Sequence, residues 1–365
     1  MAEKILVQGN EAVGWGALAA DCKGFFGYPI TPQNEIIEWF AKEFPNRGRV
    51  FIQSASETGS INMLHGGVAT GARAMTSTSG PGWALMQEGM SNLANAELPC
   101  IIVLVQRGWN TTRHAQTDYT SVTQGGGYGG YKTIVLAPKS IQELHDFVQL
   151  GFYLADKYRT PVIVLSDAIL GQMMESLELK TLDFGPLPDK DWAITGKANH
   201  KDGNRRFSSI AQGMLPTPRH PNLCAFWEDY TEKLDTIKKN EVRYETYQVE
   251  DAELILVAFG YVARVSQEAI IRARKKGLKI GLIRPITLWP FPSEIIRDKA
   301  RQGAKFLVVE DNMGQMIEDV KLAVEGHAEV HLVNALDRHL HTEEGAIYPE
   351  KVLEKLEGLV KEGGL

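Results

Sequence analysis

The chain has 365 residues, of which 44% are hydrophobic and 23% are charged, and its formal net charge is −6. This length suggests about two domains, and the composition is that of an ordinary globular protein. The negative charge argues against a nucleic-acid groove, and no run reaches the roughly 20 apolar residues of a membrane span. Because the amino terminus lacks a long apolar signal segment, we expect a cytoplasmic protein that binds neither nucleic acid nor membrane.

The first third of the chain contains four short apolar runs that each end in small or polar residues. GFFGYPI leads to Thr31, VFIQS to Glu57, RAMTSTS to Gly80 and IIVLVQ to Arg107. Unbroken apolar runs bounded by turn signals are typical of buried strands in a parallel sheet. In such sheets the ligand crevice lies beyond the carboxyl ends of the strands. We therefore expect a hydroxyl, a carboxylate, flexible backbone and a guanidinium to meet at one edge.

Residues 1–180 continue this alternation, with two further strand-like runs at 132–137 and 161–167. Helical stretches are predicted at 11–22, 32–44, 58–71, 83–95 and 140–157. Strands that alternate with helices predict an α/β domain whose parallel sheet is covered on both faces.

The chain changes character after residue 180. Residues 181–249 carry many prolines and few periodic apolar positions, which predicts an extended interdomain connection with a charged helical piece. From residue 250 to 365, four short strands again alternate with helices, which predicts a second, smaller α/β domain.

Thr31 and Glu57 each allow two interpretations. Thr31 precedes Pro32, a pair typical of a helix N-terminus, and a helix N-terminus also attracts carboxylate ligands. Glu57 suits the first turn of a helix, where an acid complements the dipole. It also follows a strand that carries no other charge, where burial would raise its pKa and allow proton transfer.

The segments around residues 80 and 107 suit contact with a ligand. Residues 79–82 (SGPG) predict a turn that brings backbone close to a flat molecule. Arg107 ends an apolar strand, and a guanidinium binds a carboxylate in a bidentate fork that lysine cannot copy. The polar segment that follows contains Arg113, His114 and Asp118, which suit either a site or, more simply, a surface loop.

The three cysteines carry no cofactor signature. Cys22, Cys100 and Cys224 are scattered and form no zinc or iron–sulfur spacing. We interpret them as small hydrophobic residues in a reducing compartment, and we expect no metal site on this chain. Any iron–sulfur chemistry would then reside on another chain.

Four segments together resemble one enzyme family. YPITP (28–32), SETGSIN (56–62), TSTSGPGWALMQEG (76–89) and AELPCIIVLVQRG (96–108) resemble the 2-oxoacid:ferredoxin oxidoreductases. The resemblance spans residues 5–170. Residues 250–345 resemble a transketolase C-terminal-like domain more weakly, through the motif VVEDNMGQM. The order and spacing are similar to the separate α subunit of multi-subunit members. Among these, the branched-chain 2-oxoisovalerate type is nearest in the QTDY and GGGYGGYKTIVLAP segments.

The resemblance implies an enzyme that uses thiamine diphosphate to decarboxylate a 2-oxo acid oxidatively to acyl-CoA, with electrons passed to ferredoxin. At the matching positions, Glu57 would bind the aminopyrimidine and favour its imino tautomer. Thr31 and Arg107 would hold the keto and carboxylate groups of the substrate, and these three residues are the expected catalytic set. The other expected cofactor contacts are Pro29, Ile30, Ser79 and Gly80.

One family motif is missing from this sequence. A diphosphate-binding thiamine domain carries Gly-Asp-Gly followed by Asn, whereas this chain has only Asp202-Gly203. The resemblance therefore implies a chain that holds the pyrimidine half of the cofactor. Magnesium and [4Fe-4S] clusters would come from partner subunits: a thiamine-diphosphate-binding β subunit, a γ subunit and a ferredoxin-like iron–sulfur subunit. A dimer of such hetero-oligomers is expected.

Two tryptophans depart from the family pattern and leave the substrate open. Trp83 and Trp109 stand where smaller residues are usual, and two indoles near a substrate site would narrow it or stack on an aromatic substrate. The substrate is therefore either a branched-chain or an aromatic 2-oxo acid. The other functions that remain open are a 2-oxoglutarate or pyruvate enzyme, a transketolase-like enzyme and a non-catalytic subunit. The terminal acceptor, ferredoxin or a nicotinamide, is also open.

Overall fold

The computed structural model describes residues 4–108, 112–203, 206, 220–334 and 346–361. The strands are β1 (Lys4–Gln8), β2 (Gly24–Gly27), β3 (Val50–Gln53), β4 (Ala74–Thr78), β5 (Cys100–Gln106), β6 (Ile134–Leu136), β7 (Pro161–Asp167), β8 (Met174–Glu178), β9 (Tyr244–Tyr247), β10 (Leu254–Val257), β11 (Ile280–Pro285), β12 (Thr287–Trp289), β13 (Lys305–Glu310) and β14 (Val330–Asn334). The helices are α1 (Gly9–Ala19), α2 (Asn34–Asn46), α3 (Glu57–Ala69), α4 (Gly80–Asn95), α5 (Tyr119–Thr123), α6 (Ile141–Tyr158), α7 (Ala168–Gln172), α8 (Leu223–Asn240), α9 (Gly260–Lys275), α10 (Ser293–Arg301), α11 (Met316–Val324) and α12 (Pro349–Lys361).

A seven-stranded sheet forms the first unit, in the order β12-β6-β7-β5-β4-β2-β3. Its strands are parallel except β12. Every residue of β5 is buried, since the strand is covered on both faces. Ile101, Val103 and Val105 pack in a cluster with α1, α2 and α6, whereas Ile102 and Leu104 pack in another with α3 and α4. The predicted parallel α/β domain is confirmed.

A five-stranded sheet forms the second unit, in the order β14-β13-β10-β11-β9, with β9 antiparallel to its neighbour. Helices α9 and α12 pack on one face. On the other face, α10 and α11 pack in the same cluster as α3 and α4 of the first unit. The predicted smaller α/β domain is confirmed, and the two units share one continuous apolar core.

Two strand pairings were not predicted from the sequence. β12 leaves the second unit and adds to the first sheet beside β6, with Thr287 opposite Leu136. β1 and β8 form a separate antiparallel pair, with Ile5 opposite Leu177. Both pairings join segments that are far apart in the chain, and β1, β8 and β12 carry no long apolar run that would predict a strand.

The segment after β8 runs along the first unit. The backbone N–H of Ile194 donates to the carbonyl of Ala69, and the Lys190 ammonium donates to the carbonyl of Gly71. Further along, α8 provides the charged helix that the sequence predicted in this region. In the part of the chain that the structure describes, no helix is long and apolar enough to cross a membrane. Cys22 and Cys100 are buried, and burial raises the pKa of both thiols.

Candidate functional site

The carboxyl ends of β2, β3, β4 and β5 lie at one edge of the first sheet, as the sequence predicted. Arg107, just after β5, donates from Nη1 to the carbonyl of Thr31, just after β2, at 2.7 Å. Glu57, just after β3, lies against Gly82 in the first turn of α4. The structure therefore brings together all four chain segments that we expected at this edge, which we call the strand-end edge.

The turn after β2 differs from the prediction. The sequence predicted a helix from residue 32 with Thr31 as a possible cap, but α2 begins at Asn34 and Gln33 occupies the N-cap position. Gln33 is fully buried, where its amide donates to the carbonyl of Tyr28 and accepts from the Ser77 hydroxyl of β4. These tertiary contacts flank residues 28–32, which form a partly exposed turn, and the Thr31–Pro32 peptide within it is cis.

This turn carries three of the expected site residues. Pro29 and Thr31 are exposed and Ile30 is half-buried, so the turn presents its surface at the strand-end edge. The carbonyl of Thr31 is occupied by Arg107, which ties the turn to the end of β5.

Glu57 is the first residue of α3, following Ser56, whose side chain caps the helix by accepting from the Gly59 N–H. The Glu57 side chain is only 6% exposed. Within the described residues, no hydrogen-bond donor or cation is paired with its carboxylate. A buried carboxylate normally has such a partner, so the Glu57 carboxylate remains able to accept hydrogen bonds from a ligand.

Gly82 is required where it lies because Glu57 and β4 crowd it. A Cβ at this position would lie 2.3 Å from Thr78 Oγ1 and 2.7 Å from Glu57 Oε1. The hydroxyl oxygens of Thr78 and of Ser79 are buried and have no partner in the described residues. Three polar groups without a partner among the described residues therefore surround the start of α4.

A cavity of about 500 Å³ opens beside this group. The start of α4 lines one side through Gly80, Pro81 and Ala84, and the second unit lines the other side through Met313 and Gln315. The cavity thus has an apolar wall, and it lies between the two units of the chain.

Arg107 and Asp118 line the polar end of the same cavity. Arg107 Nε and Asp118 Oδ2 are buried without a hydrogen-bond partner among the described residues. Burial raises the pKa of Asp118 to about 6, and the charge of Arg107 opposes this shift. Asp118 is therefore a lining group of the cavity, which favours the first of the two interpretations that the sequence allowed.

The second unit holds the segment that joins Arg107 to α5. Gln116 is fully buried, and its backbone N–H donates to the carbonyl of Asp311 at 2.7 Å while its side-chain oxygen accepts from the Asp311 N–H at 3.2 Å. Asn312 donates to the carbonyl of Gln116 at 2.9 Å, and Gln315 donates to the carbonyl of Thr117 at 2.9 Å. We call these contacts the interdomain clamp. The sequence does not predict these contacts, although the DNMGQ segment that supplies them lies within the motif VVEDNMGQM.

Charged and aromatic groups extend the clamp. His114 Nδ1 lies 2.9 Å from Asp311 Oδ2, and the Tyr261 hydroxyl donates to the same oxygen. Asp167, at the end of β7, is fully buried nearby, and burial together with the charge of Asp311 raises its pKa to about 6. His114 thus contacts the second unit and does not line the cavity.

The two expected tryptophan contacts have different outcomes. Trp83 is 2% exposed, packs in the core and donates from its indole nitrogen to the Ser121 hydroxyl at 3.0 Å. It does not appear among the cavity-lining residues, and this placement argues against the expected substrate contact. The reason is helical phase, because Pro81 and Ala84 face outward from α4 while Trp83 faces the core. Trp109 lies outside the described residues.

Comparison with known proteins first defines the class. Residues 15–221 match the family described as pyruvate flavodoxin/ferredoxin oxidoreductase, thiamine diphosphate-binding, and residues 252–345 match pyruvate:ferredoxin oxidoreductase core domain II. The fold is also similar to that of a split-gene transketolase, with a TM-score of 0.59 at 14% identity. This is the α/β class of thiamine-diphosphate enzymes.

Individual relatives then narrow the assignment. The chain is 46% identical to the ketoisovalerate oxidoreductase subunit VorB of Methanothermobacter marburgensis, covering 92% of this chain and 94% of the relative. It is 34% identical to the 2-oxoglutarate synthase subunit KorA of the same organism, covering 98% of this chain and 100% of the relative. The chain belongs to the 2-oxoacid:ferredoxin oxidoreductases, as an α-type subunit.

A solved structure supports the same fold over both units. The 2-oxoglutarate:ferredoxin oxidoreductase of Magnetococcus marinus, with 2-oxoglutarate, coenzyme A and succinyl-CoA bound, superposes with a TM-score of 0.83 at 25% identity. The likeness covers 98% of this chain and 65% of that chain, so this chain spans about two thirds of the larger protein.

The residues at the strand-end edge fit the pyrimidine half of thiamine diphosphate. No described residue donates to the Glu57 carboxylate, the buried hydroxyls of Thr78 and Ser79 lack partners there, and Gly82 lets Glu57 and Thr78 lie close to the first turn of α4. An aminopyrimidine ring is flat and carries both donors and acceptors, which suits this combination of groups.

Proposed function

We propose that this chain contributes the pyrimidine-binding and substrate-binding half of a branched-chain 2-oxoacid:ferredoxin oxidoreductase, which converts its 2-oxo acid oxidatively to acyl-CoA. The observation that carries the proposal is one cluster at the end of β4: the buried Glu57 carboxylate, to which no described residue donates, lies with the unpartnered hydroxyls of Thr78 and Ser79 around Gly82. A stable core would not leave these groups without partners, so a bound ligand is the simplest explanation.

Glu57 would hold the pyrimidine ring by accepting a hydrogen bond at its carboxylate. A negative charge in this position favours the imino tautomer, and low solvent exposure strengthens the interaction. When bound, thiamine diphosphate supplies the carbanion nucleophile and the electron sink. The hydroxyls of Thr78 and Ser79, with the backbone around Gly80 and the turn of Pro29 and Ile30, would complete the cradle.

Arg107 would bind the carboxylate that all 2-oxo acids share. One of its terminal nitrogens already donates to Thr31, so Nε and the other terminal nitrogen are left for a bidentate contact. The carbonyl of Thr31 accepts from this guanidinium and the residue is exposed, and we propose that its hydroxyl contacts the keto group.

The cavity wall favours an uncharged aliphatic side chain. Among the described lining residues, Arg107 is the single cation, and Pro81, Ala84 and Met313 provide an apolar wall. A dicarboxylate such as 2-oxoglutarate needs a second cation, which these residues do not supply. The higher identity to the ketoisovalerate relative than to the 2-oxoglutarate relative agrees with this choice. The burial of Trp83 weakens the case for an aromatic substrate.

The outer faces of α3 and α4 support the proposal of a partner subunit. Met63 is 40% exposed and Leu85 is 57% exposed, and both lie on the helices that begin at the strand-end edge. Apolar side chains at such a position are typical of a protein–protein interface. We propose that a β subunit covers this face and supplies magnesium and the diphosphate site. A γ subunit and a ferredoxin-like subunit with [4Fe-4S] clusters would complete a dimeric assembly.

The proposal is tested by purifying the native complex and measuring its CoA-dependent reduction of a viologen dye. The substrates are 2-oxoisovalerate, phenylpyruvate, pyruvate and 2-oxoglutarate. We expect the highest kcat/KM for 2-oxoisovalerate, because a methyl group in an apolar wall contributes about 1 to 3 kcal/mol of discrimination. A preference for 2-oxoglutarate, or no CoA-dependent reduction with any of the four, would overturn the proposal.

A further inference from the structure

Asp118 lies in the cavity without any structural task for its side chain. Its backbone N–H donates to Gln106 Oε1 at 3.1 Å, and its carbonyl accepts from the Ser121 hydroxyl at 2.8 Å. The adjacent Thr117 hydroxyl donates to the carbonyl of Arg107 at 2.7 Å. Main-chain groups and neighbours therefore hold this segment, and no described residue donates a hydrogen bond to the Asp118 carboxylate.

The carboxylate lies beside the start of α4, and the charge of one cation acts on it. Both oxygens lie 4.0 Å from the position that a Cβ on Gly80 would take, so the carboxylate faces the start of α4. Arg107 is the group whose charge acts on it, and both side chains line the same cavity. The described lining of the cavity thus contains one cation and one anion, whose charges sum to zero.

The other charged groups around this pair are few. From α3, Glu57 lies on the other side of the first turn of α4, against Gly82. The α4 and second-unit residues that line the cavity are uncharged in the part of the chain that the structure describes. A substrate carboxylate that reaches Arg107 therefore enters beside a second carboxylate that no other lining cation neutralises.

We propose that Asp118 couples substrate binding to proton uptake: its carboxylate balances Arg107 while the cavity is empty, and it takes a proton when a substrate carboxylate becomes the anion beside Arg107. The inference rests on the proposed function, since it requires a carboxylate-bearing substrate at Arg107. Asp118 acts in it as a positioning residue for charge and is not a participant in bond making.

The expected direction follows from linkage. Burial raises the pKa of Asp118 to about 6 in the empty cavity, and a like charge beside it raises the pKa further. The protein with protonated Asp118 therefore binds the substrate better. Its affinity for the substrate falls as the pH rises from about 6, the pKa of Asp118 without substrate, to the higher pKa that Asp118 has with substrate bound. A further rise of about one unit corresponds to a tenfold change in affinity. It also corresponds to an uptake of about 0.4 proton per site at pH 7.

The test measures proton uptake by calorimetry on the native complex. 2-Hydroxyisovalerate, which carries the carboxylate but has no keto group to react, is titrated in two buffers of different ionisation heat at pH 7. We expect the wild-type complex to take up about 0.4 proton per site, and Asp118→Asn to take up none. Asp189→Asn, an exposed control in the segment after β8, should keep the wild-type uptake.

Kinetics supply a second readout. The KM of the wild-type complex for 2-oxoisovalerate should rise about tenfold between pH 5.5 and 8, whereas that of Asp118→Asn should stay level, because an amide has no charge to repel the substrate. Absence of uptake in the wild-type complex would overturn the inference without any variant. Uptake or a pH-dependent KM that persists in Asp118→Asn would also overturn it.

Failure of this inference is distinguishable from failure of the proposed function. A complex that reduces the dye with 2-oxoisovalerate and CoA but shows no proton uptake retains the proposed function and excludes the role of Asp118. A complex that uses none of the 2-oxo acids excludes both.

Discussion

The strand-end edge and the interdomain clamp are both rich in buried polar groups, but they differ in how completely these groups are paired. In the clamp, Gln116 uses its backbone N–H, its carbonyl and both atoms of its side-chain amide in hydrogen bonds. At the edge, Glu57, Thr78 and Ser79 are buried, and the two hydroxyls have no partner in the described residues.

This difference separates a structural polar cluster from a ligand site. A buried polar group without a partner costs about 1 to 3 kcal/mol, so a fold keeps it only where something else supplies the partner. The clamp is complete without a ligand, and its role is to hold the segment between Arg107 and α5. The edge becomes complete only when a cofactor and a substrate are bound. Variants of the two regions should accordingly affect different quantities.

Glu57→Gln should have the largest effect, which should lower turnover and leave the assembly of the complex unchanged. An amide keeps the size of the side chain but removes the negative charge, so assistance to proton transfer is lost and kcat should fall about 10²- to 10⁴-fold. The measurement is dye reduction by the assembled complex, with assembly checked by gel filtration. Glu38→Gln, at an exposed residue on α2, is the control and should keep its activity. Normal turnover in Glu57→Gln would show that Glu57 is only a helix-end acid.

Gln116→Met should affect stability first. The thioether fills the same space but leaves the N–H of Asp311 and the carbonyl of Phe259 unpartnered, which should cost about 2 to 4 kcal/mol. The check is the free energy of unfolding in denaturant. Gln302→Met, at an exposed helix end, should leave stability nearly unchanged. If Gln116→Met abolished turnover with unchanged stability, the clamp would belong to the site.

Arg107→Lys should weaken every 2-oxo acid substrate by a similar factor. Lysine keeps the charge but cannot form the bidentate contact, which costs about 1.5 to 3 kcal/mol of binding energy. The value of kcat/KM should therefore fall roughly ten- to a hundredfold. The measurement compares 2-oxoisovalerate, pyruvate and phenylpyruvate. A change in their ranking would contradict the assignment, because Arg107 is proposed to bind the group that they share.

Asp167→Asn should have a smaller effect, and one that depends on pH. The pKa of Asp167 is raised to about 6 in the folded protein, so the folded state binds its proton more tightly than the unfolded state. The wild-type protein should lose stability as the pH rises from about 4 to 6 and then level off. Asparagine removes this loss and can keep the hydrogen bond from Leu170, but its single oxygen cannot also keep the one from Tyr261. The variant should therefore be more stable at pH 8 by only about 1 to 2 kcal/mol. Equal Tm differences at pH 5 and pH 8 would contradict this.

The sequence predicted the strand-end edge well because its signals are local. Each apolar run is continuous along the chain, and the residue after each run is read directly from the sequence. Once the strands are parallel, geometry places Thr31, Glu57 and Arg107 at the same edge. The fold class and the meeting of these segments therefore followed without knowledge of distant contacts.

The clamp and the turn after β2 could not be predicted in this way, because both depend on contacts between distant segments. Gln116 meets Asp311 across 195 residues, and Gln33 meets Ser77 across 44 residues. The burial of Trp83 also could not be predicted from local signals. Which side of α4 faces the core is decided by packing on α3, where Gly89 contacts Ile61.

The most direct test of the central claim is the thiamine content of complexes that carry one added methyl group on α4. Gly82→Ala places a Cβ 2.3 Å from Thr78 Oγ1 and 2.7 Å from Glu57 Oε1, so both side chains must move from the positions in which we propose that they hold the pyrimidine. Gly89→Ala is the matched control, with a Cβ 2.4 Å from Ile61 Cγ2 in the core. We predict that assembled Gly82→Ala complexes retain little thiamine diphosphate, while Gly89→Ala complexes retain the wild-type amount. Full thiamine content in assembled Gly82→Ala complexes would contradict the assignment of the strand-end edge as the cofactor site.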